Sequence, residues 1–191
     1  MSDSFESENF LSKIRSREPQ AFESLVQAYT DELYKACLGL GFKPIEAEDV
    51  TQNTWLTFFD IAPKFEGRSK VRTFLLGILY NKASEYRKKG RKEDPNFDIE
   101  AVMDQHFDQA GHWISDPIDP EKFHSSSQTM SLINDCLERL PLNQKMAFSL
   151  KEIQEELTED ICKILEITTT NLGVLLFRAR NQLRECIERK S

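Results

Sequence analysis

Apolar side chains recur at intervals of three and four through Phe22, Leu25, Val26, Tyr29, Leu33, Cys37 and Leu40, the spacing that gathers them on one face of a helix. Pro19 suits the first turn of that helix, and Gly39 or Gly41 its end. A second stretch runs from about Ile45 to Ile61, with Ala47, Val50, Thr54 and Phe58 on one face, Trp55 and Phe59 beside it, and Pro63 as its stop. After Lys64 to Ser69, a third carries Val71, Phe74, Leu75, Ile78, Leu79 and Tyr86 inward and reaches Gly90, a natural C-terminal stop. Three helices around one core are predicted.

The period lapses between Glu93 and Ser127, where Pro95, Gly111, Pro117, Pro120 and the run Ser125 to Ser127 mark a linker with room for a short helix. It returns in Leu132, Ile133, Cys136, Leu137 and Leu140, and Pro141 interrupts it before Met146, Phe148 and Leu150. Ile161, Ile164 and Leu165 then predict a short helix, Glu166 to Thr168 a tight connection, and Leu172, Leu175, Leu176, Ala179 and Leu183 a second helix. Two helices joined in this way form a helix-turn-helix. With Thr168 as N-cap, the first turn would offer Thr169, Thr170, Asn171, Gly173 and Val174 to a DNA groove, with Arg178, Arg180 and Arg184 following as phosphate ligands. Spacing alone does not separate this from an ordinary helical hairpin with a basic end.

The chain has 191 residues, 39% of them hydrophobic, which permits one or two small cores. Its net charge of -7 argues against nucleic acid until the distribution is read. Between Lys64 and Lys92, ten Lys and Arg stand against Glu66 and Glu85, a footprint for phosphates. Between Glu93 and Asp135 the balance reverses, with ten acidic residues against Lys122. No apolar run approaches the roughly 20 residues of a membrane span, and the N-terminus is acidic, so a cytoplasmic protein without membrane insertion is expected. Cys37, Cys136, Cys162 and Cys186 lie far apart, and buried reduced thiols are the expected state, with a redox switch as the alternative. His106, His112 and His124 lack a helical ligand spacing, so loop polarity is favoured over a metal site. Neither a cofactor nor a catalytic centre is called for. An enzyme built on His106, Asp108 and His112 would need a metal or a general acid and base there.

Taken together, the two halves resemble an extracytoplasmic-function sigma factor of bacterial RNA polymerase. Ala47 to Trp55 is similar to that family's polymerase-binding helix, with Asp49, Gln52 and Trp55 at contact positions and Phe59 one turn on; Trp55 as plain core is the alternative. Phe65 to Leu75 resembles the promoter-melting loop and the start of the minus-ten helix. There Phe65, Arg68, Ser69, Lys70 and Arg72 would hold a displaced strand and capture an unstacked base. Asn81, Glu85, Arg87 and Lys88 resemble the downstream part of that helix, Glu85 standing where Asp is commoner. Leu140-Pro141, Asp160-Ile161-Cys162 and Phe177 to Arg180 resemble the region that reads the minus-thirty-five element. Asn171 to Leu175 departs from the Thr-Val-Lys-Ser-Arg run of many relatives, so their base contacts do not carry over. Thr170-Asn171-Leu172 and the linker motif Phe107 to Trp113 look like those of a subgroup.

The resemblance implies an all-α protein of two small helical domains joined by a flexible acidic linker. Its second sigma region would occupy 1–92, the linker 93–130 and its fourth region 131–191. It further implies RNA polymerase core and promoter DNA, duplex and melted, as partners, and an anti-sigma factor as a common inhibitor in the family. The rival reading is a helix-turn-helix regulator with an N-terminal sensory or interaction domain, which leaves the melting loop unexplained.

Overall fold

The computed structural model describes residues 5–90 and 127–190. Among them are eight α-helices and no strand: α1 Glu8–Arg15, α2 Pro19–Gly39, α3 Pro44–Ile61, α4 Val71–Gly90, α5 Ser127–Glu138, α6 Leu142–Phe148, α7 Thr158–Leu165 and α8 Thr169–Lys190. Most of the acidic linker, including Phe107 to Trp113 and His106, His112 and His124, lies outside the described residues.

Local chemistry sets the boundaries. Pro19 and Pro44 open their helices where the missing N–H would have no partner anyway. The Glu46 carboxylate reaches back to accept the Lys43 backbone N–H at 2.8 Å. Gly41, not Gly39, closes α2. Its φ of +78° lets Gly41 N–H donate to the Leu38 carbonyl at 2.9 Å and Phe42 N–H to that of Cys37 at 3.3 Å. Helix α1 was not predicted, since two buried residues, Leu11 and Ile14, give too short a periodic signal.

Helix α4 draws the two halves onto one main core, which composition had left open between one and two. Leu76, Tyr80 and Ala83 are buried along with Val71, Leu75, Ile78 and Leu79, because α4 packs against α2 and α3 on one side and α7 on the other. At the crossing, a Cβ added to Gly77 would lie 3.6 Å from the Ile164 carbonyl oxygen, an ordinary contact distance that shows how closely the two backbones approach. Leu150, Ile161, Ile164 and Leu172 therefore share one buried cluster with Leu25, Phe58 and Leu79. Each such side chain contributes about 1.5–3 kcal/mol relative to exposure.

Polar groups tie the halves together at the edges of this core. Arg72 on α4 pairs with Glu32, Nε to Oε1 at 2.7 Å, and with Glu156 from the segment before α7. A single π-helical turn over Ser149–Ile153, closed by Gln154 N–H on the Ser149 carbonyl at 2.9 Å, brings Gln154 to donate to the Tyr80 hydroxyl at 3.2 Å. Lys145 is buried and donates from Nζ to the carbonyls of Leu40 at 3.3 Å and Glu138 at 3.2 Å. Its burial, and then the Arg87 charge beside it, hold its pKa below the usual lysine range.

The cysteines also differ from expectation. Cys136 on α5 and Cys186 on α8 are joined in a disulfide, their Cα atoms 5.8 Å apart. Only Cys37 and Cys162 are free. The 50-residue separation of the joined pair hid a proximity that only the packing of α5 on α8 creates.

Candidate nucleic-acid interface

Helix α3 buries Ala47, Val50, Thr51, Thr54, Trp55 and Phe58 and turns its opposite face outward. Asp49 and Gln52 lie on that outer face, exposed. Trp55 does not. It is 7% exposed, its indole N–H donates to the Thr30 hydroxyl at 3.1 Å, and its ring packs against Phe58 and Phe59. Phe59 is half-buried against Phe22, ring centroids 5.0 Å apart. Both aromatics belong chiefly to the core, because residue 55 sits on the flank that meets α2. The sequence reading missed Ile45 and Leu56, which are 74% and 61% exposed. Ile45, Asp49, Gln52 and Leu56 follow one another at four, three and four, and two apolar residues on the polar face of a helix were the available signal.

The segment between α3 and α4 is held at its start. Phe65 is 4% exposed, its ring centroid 4.7 Å from that of Phe74, and its carbonyl accepts from Arg15 Nε at 2.9 Å. It is not the free aromatic that was expected on the loop. Instead it helps line a cleft of about 250 Å³ with Lys64, Glu66, Arg68, Ser69 and Phe74. Gly67, at φ +71°, turns the chain between Glu66 and Arg68, and a Cβ there would meet Leu11 Cδ1 at 2.9 Å. Arg68 and Lys70 project into solvent, Arg68 pairing with the likewise exposed Glu66 at 2.5 Å. Ser69 is half-exposed.

Along α4 the predicted residues divide by face. Asn81, Glu85 and Lys88 are exposed one turn apart, Glu85 pairing with Lys82 at 3.0 Å. Asn81, Lys82 and Glu85 line a second cleft of about 330 Å³ with Phe74, Gly77 and Ser69, walled on the far side by Lys163 and Glu166. Arg72 and Arg87 point elsewhere. Arg72 is engaged by Glu32 and Glu156, while Arg87 donates to the Leu40 and Gly41 carbonyls at 3.3 and 3.0 Å with its guanidinium 4.4 Å from the Phe42 ring centroid. These two cations are committed within the fold, so in this arrangement neither presents its charge to phosphate.

In the second half, α7 ends at Glu166 in a left-handed conformation, φ 54°, and the Ile167 N–H closes the turn on the Cys162 carbonyl at 3.1 Å. Thr168 caps α8 as expected, its Oγ1 accepting the Asn171 N–H at 3.2 Å. Leu172, Leu175, Leu176, Ala179 and Leu183 face inward, which leaves Thr169, Thr170, Asn171 and Gly173 exposed on the first turns. Val174 and Arg178 are half-buried, and Arg180 pairs with Glu152 at 2.6 Å. Nothing lies within 4 Å of a Cβ added to Gly173, so the fold itself does not demand glycine there.

These features match known proteins at both ends of the chain. The family model for Sigma-70 region 2 matches residues 25–93, and that for Sigma-70, region 4 matches residues 130–183. A probable RNA polymerase sigma factor of Haemophilus influenzae is 32% identical over 75% of this chain and 78% of its own length. The ECF RNA polymerase sigma-E factor of the same organism is 25% identical over 98% of each chain, and that of Escherichia coli is 24% identical over 96% of this chain and 95% of its own. Among solved structures, CnrH in complex with the cytosolic domain of CnrY aligns with a TM-score of 0.65 at 17% identity, over 95% of this chain and 97% of the other. The sigma factor RpoE in complex with the anti-sigma factor NepR, from Bartonella quintana, aligns with a TM-score of 0.59 at 25% identity, over 87% and 96%. The chain belongs to the sigma-70 family and is an alternative sigma factor of the extracytoplasmic-function type, a factor for transcription initiation.

Proposed function

We propose that this sigma factor divides its work along the chain, in the cytoplasm, as follows. Residues 1–92 bind polymerase core through the outer face of α3 and read and open the minus-ten element. Residues 131–191 read the minus-thirty-five element through the first turns of α8, and 93–130 link the two. The observation that carries the reading is the pair Arg68 and Lys70, exposed beside a cleft walled by Phe65 and Phe74. Cations next to an aromatic-walled recess suit a displaced strand and one unstacked base. Thr170 and Asn171 on a capped helix N-terminus suit base edges and phosphate in a major groove.

Elements named minus-ten and minus-thirty-five stand roughly 80 Å apart along B-form DNA, at about 3.4 Å per base pair. Helices α4 and α7 touch, so the packed arrangement does not span such a promoter. The halves separate on the promoter, which frees Arg72 from Glu156. The 36 residues from 91 to 126 have covalent reach for this at roughly 3.3 Å per residue. A partner that holds the halves together would silence the factor. The complex of Bartonella RpoE with the anti-sigma factor NepR supports an anti-sigma partner here.

The experiment compares two templates. Replacing Arg68 and Lys70 together by Ala is expected to lower transcription from a duplex promoter at least tenfold, yet only a few-fold from the same promoter with a pre-opened bubble, because the pair acts on the separated strand. Equal losses on both templates would remove the loop from strand opening.

A further inference from the structure

The smaller buried cluster holds α5 against the C-terminal half of α8. It consists of Cys136, Leu140, Ala179, Leu183 and Cys186, with Leu132, Leu137, Phe148 and Ile187 packed around it. The Cys136–Cys186 bond lies within this small contact, and the Lys190–Asp135 ion pair, at 3.3 Å, sits beside it. Among the described residues no group of three His, Cys, Asp or Glu is placed to hold a metal. A sigma factor works where DNA is transcribed, in a compartment kept reducing by small thiols. Disulfides found there are mostly transient and redox-sensing rather than permanent staples.

We propose that Cys136 and Cys186 form a reversible thiol–disulfide switch that sets how firmly α5 holds the DNA-reading helix α8, and through it the occupancy of the minus-thirty-five element. The coupling to promoter rests on the reading of α8 given above. Helix α8 is continuous from Thr169 to Lys190, so a clamp on its C-terminal half restrains the turns that carry Thr170 and Asn171. The remaining cysteines are poor rivals. Burial pushes the Cys37 thiol up to about 11, which leaves little thiolate to react, and Cys162, half-exposed, lies 3.9 Å from the Thr169 hydroxyl and far along the chain from either joined cysteine.

The chemistry needs an oxidant of the low-molecular-weight disulfide class. One cysteine, as thiolate, attacks a sulfur of that disulfide, forming a mixed disulfide and expelling one small thiolate, which takes up a proton. The second cysteine, as thiolate, attacks the protein-bound sulfur. The Cys136–Cys186 bond forms and the second small thiol leaves, carrying the other proton. Two protein thiols are oxidised and one small disulfide is reduced to two thiols, and excess small thiol reverses both steps. Cys136 is 1% and Cys186 5% exposed, so exchange waits on α5 lifting from α8, an opening available to a helix at the edge of a fold.

The test uses the full chain, alone and assembled with polymerase core, equilibrated in buffers of reduced and oxidised glutathione at stepped ratios and then trapped by alkylation. We expect Cys136 and Cys186 to convert together with loss of two hydrogens, Cys37 to stay a thiol, and the thermal midpoint to fall by roughly 5–10 °C on reduction. The holoenzyme's preference for a promoter over one with a scrambled minus-thirty-five element should fall several-fold on reduction. Cys136→Ala and Cys186→Ala should behave as the reduced protein in every buffer. Complete alkylation of both thiols in the most oxidising buffer overturns the switch, as does a disulfide that leaves the midpoint unmoved. A preference equal in both redox states overturns its link to the promoter. Absence of any preference in either state defeats the reading of α8 and the promoter link with it, while thiol trapping and melting still decide whether the switch exists.

Discussion

Replacing Trp55 by Ala will destabilise the fold by about 3–5 kcal/mol, the cost of removing a large aromatic from a packed interior. Against a typical total of about 5–15 kcal/mol, that is enough to lower the thermal midpoint by roughly 10 °C and to unfold an appreciable fraction at growth temperature. The ring meets Phe58 and Phe59 with centroids 6.0 and 5.9 Å away, and its N–H is satisfied by Thr30, so truncation opens a cavity and orphans a hydroxyl together. Trp55→Phe keeps most of the packing and loses one hydrogen bond, about 1 kcal/mol. It should melt close to wild type and bind polymerase core as wild type does. Circular dichroism melts with core-binding titrations of both variants check this. A Trp55→Ala protein that melts normally but binds core weakly would return Trp55 to the polymerase surface.

Ile45→Ala and Leu56→Ala, by contrast, will leave stability within about 0.5 kcal/mol of wild type and weaken core binding, about tenfold each and close to multiplicatively together. An apolar side chain gains about 1.5 kcal/mol or more on passing from water into a packed interface, and each 1.4 kcal/mol is a factor of ten in affinity. These two are the large exposed apolar side chains on α3, set one above and one below Asp49 and Gln52. A fluorescence titration of labelled protein with core polymerase measures the loss. Unchanged affinity in the double variant would show that the outer face of α3 is not the docking surface.

The contrast between Trp55 and Leu56 shows what the sequence made legible. The period of α3 placed Ala47, Val50, Thr54 and Phe58 inward correctly, because a helix with one buried face writes that face into its spacing. Trp55 sits on the flank of the stripe, where spacing is indifferent, and only the nearness of Thr30 on α2 decides its side. Helix α4 was read as one-sided because α7, its second partner, lies about 80 residues away along the chain, and Leu76 and Tyr80 are apolar on account of that partner. Phe65, Arg72 and Arg87 have the residue types that suit nucleic acid. What places them is tertiary: Phe74 and Arg15 hold Phe65 as a wall of the cleft rather than a free ring, while Glu32 and Glu156 engage Arg72 and the end of α2 engages Arg87. The two helices and their tight connection were legible, down to Thr168 as the cap, because those signals are local, while spacing alone did not distinguish a DNA-reading pair from an ordinary helical hairpin. The Cys136–Cys186 bond was not, since no spacing encodes a contact between helices 50 residues apart.

On the proposed division of labour, this chain confers promoter recognition on a polymerase that lacks it, through one half that docks and melts and another that reads upstream DNA. The direct measurement is transcription in vitro with purified bacterial core enzyme, on a pool of promoter-bearing fragments from the source genome, with start sites mapped on the products. No defined start is expected from core alone, and discrete starts on a subset of fragments once the protein is added. Those starts should disappear from duplex templates when Arg68 and Lys70 are both replaced by Ala. Sequence-specific binding to duplex DNA with no defined start in the presence of core would contradict it, and would identify an operator-binding regulator instead.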